Sequence, residues 1–218
     1  MSDLLGCYPS YSEKFNPIQI LTSMFVHSDD PFHFIFNIVL ILFFAPSVEM
    51  KIGFKKIIIS YLFCGLIGFL FVNYSFHENK ILIEKELTEE RININEIIIV
   101  KDRVSQEYLE SITDENIREK VKKYNHITSK TYGASAALFG FIIMFFFYSR
   151  ISLKTSLIYL LGLYFIVDNL LIVLSNEFLL DGGAFAHLGG MIGALMLIVF
   201  FKINRLYFNN VKKLQNLI

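Results

Sequence analysis

The sequence predicts an all-α, polytopic membrane helix bundle of about five transmembrane helices with one polar extracytoplasmic insert, and two observations carry that prediction. The 218 residues are 54% hydrophobic, with 23 Phe and no Trp, which is far too apolar for a soluble domain of this length. The net charge of zero conceals a segregation: residues 77–130 hold ten of the 20 Lys and Arg and twelve of the 20 Asp and Glu, so most of the remaining chain suits a lipid environment. No nucleic-acid partner is expected; the lipid bilayer is the expected surrounding.

Five apolar stretches approach the roughly 20 helical residues needed to cross a hydrocarbon core of about 30 Å. They are 32–50, 55–75, 132–149, 153–175 and 184–203. An odd number of spans places the two termini on opposite sides. Lys51, Lys55 and Lys56 follow the first span, Arg150 and Lys154 the third, and Lys202, Arg205, Lys212 and Lys213 the fifth. All three clusters fall on one side, which the excess of basic residues marks as the cytoplasm, with the C-terminus there. A bacterial inner membrane suits such short loops. The opposite side receives residues 1–31, the polar stretch 76–131 and a turn around Glu177 and Asp181. Met1–Ser12 has no basic segment followed by an apolar one, so it does not read as a signal peptide. Cys7 and Cys64 are too few for a disulfide framework.

The chain therefore divides into an external N-terminal loop with two membrane helices (1–76), the polar insert (77–130), three further membrane helices (131–204) and a basic cytoplasmic tail (205–218). Within the insert, Ile92-Asn93-Ile94-Asn95 alternates like a strand, whereas Tyr108, Leu109, Ile112, Val121 and Tyr124 approximate a helical stripe. A small helical subdomain with one hairpin is expected.

Polar residues inside apolar spans are costly and point to function. Ser135 opens the third span, in Tyr132-Gly133-Ala134-Ser135-Ala136-Ala137-Leu138-Phe139-Gly140, and His187 lies in the fifth, in Ala186-His187-Leu188-Gly189-Gly190. Gly133, Ala136, Ala137 and Gly140 recur at i, i+3, i+4 and i+7, while His187, Gly190 and Ala194 fall at i, i+3 and i+7. Two such smooth faces let helices approach closely and bring the imidazole to the hydroxyl. That pairing provides a nucleophile and a base to take and return its proton. Phe139, one turn after Ser135, is placed to orient the imidazole. His33 and Asn37, four apart at the start of the first span, share a face and with the Ser135 amide form a candidate oxyanion hole.

These segments resemble the rhomboid family of intramembrane serine proteases: Phe25-Val26-His27-Ser28 to His33-Phe34-Ile35-Phe36-Asn37, Gly133-Ala134-Ser135 and Ala186-His187-Leu188-Gly189-Gly190, with Glu49 and Gly53 like the family's first cytoplasmic turn. The resemblance runs from about Ile20 to Phe201, outside 77–130. It implies Ser135 as nucleophile, His187 as general base and acid, His33, Asn37 and the Ser135 amide as oxyanion hole, and Gly133, Phe139, Gly140 and Gly190 in packing and orientation. It also implies transmembrane protein substrates cut near the outer face, with no metal, nucleotide or other cofactor.

Rhomboids have a six-helix core whose first helix precedes the segment resembling Ile20 to Asn37, and that helix is expected to be missing here. Ala136 stands where the family usually has glycine, adding a methyl at the closest crossing, and Ala194 replaces another glycine. Asp168 and Asn169, midway along the fourth span, are expected to be an interior polar pair satisfied by neighbouring helices. Two other functions compete: a rhomboid-like pseudoprotease that binds transmembrane helices without cutting, and a transporter component in which His187 and Asp168 relay protons.

Overall fold

The computed structural model describes residues 5–27, 31–94, 97, 99–100, 103–131, 133–149, 156–174 and 182–215. Within them the chain forms short α1 (Ile18–Thr22), then α2 (Pro31–Ile52), α3 (Phe54–Glu89), a hairpin of β1 (Ile99–Val100) and β2 (Arg103–Val104), α4 (Gln106–Ser111), α5 (Glu115–Thr128), α6 (Ser135–Tyr148), α7 (Ser156–Leu174) and α8 (Gly182–Gln215). The expectations resting on Tyr132, Arg150, Lys154, Glu177 and Asp181 lie outside the described residues.

Five apolar helices stand where five spans are expected. Among the described residues α2, α3 and α8 are long and apolar enough to cross a membrane, while the apolar parts of α6 and α7 are shorter. Helices α2 and α3 meet at one residue, Gly53, whose φ of 84° lets the chain reverse with its N–H bonded to the Glu49 carbonyl at 2.7 Å. Helix α3 has 36 residues, about 54 Å at 1.5 Å per residue, so it outruns the hydrocarbon core and its last turns stand in water. The division expected at residue 77 is thus crossed by a continuous helix, and α8 likewise runs on through most of the basic tail expected from 205.

Helix α6 is the centre. It has 14 residues, about 21 Å, and Ser135 to Gly140 are buried in unbroken succession. A helix apolar on every side belongs inside a bundle, and α6 packs against α2, α3 and α8. Its core partners include Leu40, Phe44 and Val48, which recur at i, i+4 and i+8 on α2. Outside this core, Leu42, Ile58, Leu70, Leu163, Leu195 and Phe200 stay exposed, as lipid-facing residues do.

A second core lies beyond the membrane end of α3. Ile83 and Leu87 of α3 pack with Val121, Tyr124 and Ile127 of α5, and Tyr108, Leu109 and Ile112 lie against them. Asp114 caps α5, accepting from the N–H groups of Asn116 and Ile117 at 2.8 and 3.3 Å. The strand expected at Ile92–Asn95 does not form at Ile92, Asn93 or Ile94, and Asn95 is outside the described residues. Arg91, at φ 63°, ends α3 in a left-handed turn, with the Ile92 N–H bonded to the Leu87 carbonyl at 2.9 Å, and Ile92 and Ile94 tuck into the second core. Their alternation records two apolar anchors after a helix end. The hairpin falls later, pairing Ile99 with Val104.

The N-terminal segment is fastened to both parts. Cys7 and Thr131 exchange backbone hydrogen bonds at 3.0 and 2.8 Å, and Tyr11 donates its hydroxyl to the Ile127 carbonyl at 2.6 Å. Burial pushes the Cys7 thiol up to about 12, so it is held as an unreactive thiol.

Candidate active site

Above the short α6 lies a cavity of about 330 Å³ lined by residues from α2, α3, α6, α8, the N-terminal segment and the end of the insert. A central helix that starts below its neighbours leaves such a hollow over its first turn. Gly133 starts that turn at φ 118°, a backbone conformation that favours glycine, and donates its N–H to the Ser23 carbonyl at 3.0 Å. Ser135 is the first residue of α6, 9% exposed, and lines the cavity. The free N–H groups of the first helical turn face this end, where the helix dipole favours negative charge.

His187 reaches the same cavity from the second turn of α8. Its ring lies on that of Phe139, with centroids 3.9 Å apart and planes within 6°. Its Nδ1 is 2.9 Å from Oδ1 of Asn169, a residue of α7 that is 3% exposed. The Asn169 amide nitrogen donates to the Ala184 carbonyl at 3.3 Å.

The expected interior pair of α7 is therefore split. Asn169 faces the bundle, whereas Asp168 is exposed on the outer face beside Leu160, Leu163, Tyr164 and Leu171. Adjacent residues on a helix point about 100° apart, and α7 meets the bundle along one side, through α8 and α6, which takes Asn169 and leaves Asp168 out. Sequence reasoning gave Asn169 no part in the site because a mid-span Asn has no spacing relation to His187. The available signal was the polar pair Asp168-Asn169 in the middle of an apolar helix, with nothing in the spacing to say which of the two turns inward.

His33 and Asn37 are placed differently from each other. His33 lines the cavity, and a Cβ built on Gly133 would stand 3.0 Å from its Cε1 and 3.3 Å from its Nε2, so any side chain there would press the imidazole away from the Ser135 turn. Asn37, one turn further along α2, is not among the residues lining the cavity: it is 1% exposed, and among the described residues neither atom of its amide has a hydrogen-bond partner. His27 lies 5.6 Å from His33, ring to ring. Burial, and then the neighbouring His33, hold His27 below the usual histidine range.

The smooth faces meet. A Cβ on Gly190 would fall 1.8 Å from the Ala136 carbonyl oxygen, and one on Gly140 would fall 2.7 Å from Cys64 Sγ and 3.0 Å from the Gly190 carbonyl oxygen. The extra methyl of Ala136 is accommodated by α3: it points at Gly68, where a Cβ would stand 2.4 Å away. Ala194 is fully buried in the same core. Among the described residues no group of three or more His, Cys, Asp or Glu side chains is arranged to hold a metal ion.

The fold and this site define a class: a helical membrane protein with a serine and a histidine gathered in a cavity at the head of a short central helix. The family model of the Rhomboid domain matches residues 14–83. That match supports a rhomboid family member, within which proteins are intramembrane proteases or pseudoproteases. It covers His33 and Asn37 and ends before Ser135 and His187. No curated protein and no solved structure matches the chain.

Proposed function

We propose that this protein is an intramembrane serine endopeptidase that cuts transmembrane segments of membrane proteins near the outer face, using Ser135 and His187. The observation that supports it is one cavity holding Ser135 at a recessed helix start, His187 stacked on Phe139, and His33 against the turn that carries Ser135.

In this reading Ser135 Oγ attacks the scissile carbonyl carbon while its proton passes to Nε2 of His187. Negative charge develops on the carbonyl oxygen and is met by the Ser135 N–H, His33 and the Asn37 amide. One such donor is worth roughly 3 kcal/mol in proteases where it has been removed. Asn37 is not among the residues lining the cavity and is 1% exposed, so its amide reaches that charge only if the cavity wall opens when substrate binds. His187 then protonates the leaving amine, and water, deprotonated by the same imidazole, hydrolyses the acyl-enzyme. No cofactor is required.

Helix N-termini sunk below the surface give water a route to the site, while the exposed apolar sides of the bundle meet lipid and a substrate helix. Lys51, Lys55 and Lys56 at the α2–α3 turn support a cytoplasmic position for that end, which leaves the cavity and the insert outside. The test is incubation of the full chain in proteoliposomes with a panel of single-span substrates whose helices carry glycine near the outer face. Cleavage by the native chain and none by Ser135→Ala supports the reading. Retention of the substrate helices without cleavage favours a helix-binding pseudoprotease.

A further inference from the structure

We infer that Asn169 is the residue that orients the general base: its amide clasps Nδ1–H of His187 and the Ala184 carbonyl together, fixing the imidazole with Nε2 as the acceptor toward Ser135. The inference rests on the reading of His187 as the base.

The tautomer follows from the hydrogen bonds. A backbone carbonyl only accepts, so the Asn169 group facing Ala184 is the amide NH₂, at 3.3 Å. The amide oxygen is then the atom 2.9 Å from Nδ1, and because that oxygen only accepts, Nδ1 carries the hydrogen. Nε2 of the neutral ring is left as the acceptor, the state required of a base that takes a hydroxyl proton. Phe139 fixes the plane of the ring by stacking, and Asn169 fixes its rotation within that plane.

The third member of the site thus comes from α7, a helix at the edge of the bundle. Gly162, two turns before Asn169, lets α7 approach: a Cβ there would lie 2.8 Å from Phe146 and 3.1 Å from Phe44. When the proton moves from Ser135 Oγ to Nε2, the ring becomes imidazolium and the Nδ1–H bond to Asn169 is retained and strengthened by the charge. The amide is neutral, so Asn169 acts by position and tautomer, as a positioning residue.

The test uses the full chain in detergent with ¹⁵N-labelled histidine, assigned by difference against His187→Ala, together with the rate of labelling by a fluorophosphonate. We expect the native His187 to carry its hydrogen on Nδ1. In Asn169→Leu the hydrogen moves to Nε2 and labelling slows at least about tenfold, by analogy with proteases whose histidine is held in the wrong tautomer. Asn169→Asp, which keeps an acceptor, restores both. A native His187 protonated on Nε2, or a folded Asn169→Leu labelled at the native rate, overturns the inference. If Asn169→Leu does not fold, the native tautomer and the Asn169→Asp rate decide it. A native chain that carries Nδ1–H but does not label leaves the clasp standing and removes the protease reading.

Discussion

Gly190 of α8 rests directly on the backbone of Ala136 in α6, so close that a Cβ would stand 1.8 Å from the Ala136 carbonyl oxygen. Backbone cannot retreat as a side chain can, so Gly190→Ala must part the helices that carry His187 and Ser135. Overpacking of this kind costs typically about 1–3 kcal/mol. The thermal midpoint in detergent is expected to fall by several degrees, with Gly190→Leu worse; an unchanged midpoint contradicts this crossing.

Ala136 and Gly68 are coupled in the same way across α3 and α6. Gly68→Ala sets two methyl carbons 2.4 Å apart and brings the new one 2.9 Å from the Ala186 carbonyl oxygen, so the loss of stability is expected to be recovered in part, and not fully, when Ala136→Gly is added. Additive effects in the double-mutant cycle count against the contact.

Gly133→Ala challenges the site more than the fold. The residue holds φ 118°, and its added carbon would meet His33 Cε1 at 3.0 Å. A strained turn of this kind costs on the order of 1–3 kcal/mol. The expected outcome is a folded protein whose Ser135 labelling is strongly reduced; native labelling shows that neither the turn nor His33 matters there.

Acid should weaken the packing around His27. His27 is held below the ordinary histidine range by burial and by His33. The folded chain therefore binds fewer protons than the unfolded one as pH falls through about 6.5, and stability is lost on the acid side. His27→Gln is expected to flatten the decline in thermal midpoint between about pH 7.5 and 5.5, the window in which an unperturbed histidine gains its proton. An identical decline in both proteins assigns it to other groups.

Apolar run length and small-residue spacing made the bundle readable, because a helix in lipid must be apolar and a close crossing must be bare. The same spacing brings Ser135, Phe139, Gly140, His187 and Gly190 to one crossing, since residues one turn apart share a helix face. The insert was less legible: Ile92 and Ile94 alternate as a strand does, yet they anchor the turn after α3, whose length beyond the membrane has no marker in hydropathy. Asn169 illustrates the other limit. Its partner is 18 residues away on another helix, and the rotation of α7 that turns Asn169 inward and Asp168 outward is set by packing around Gly162.

The proposed activation of Ser135 by His187 can be read out by exposing folded, detergent-solubilised protein to a fluorophosphonate and locating the adduct by intact mass and peptide mapping, beside Ser135→Ala and His187→Ala. One adduct on Ser135 is expected in the native chain and none in either variant. A native chain that stays unmodified under conditions that label an active rhomboid, or equal labelling of His187→Ala, contradicts it.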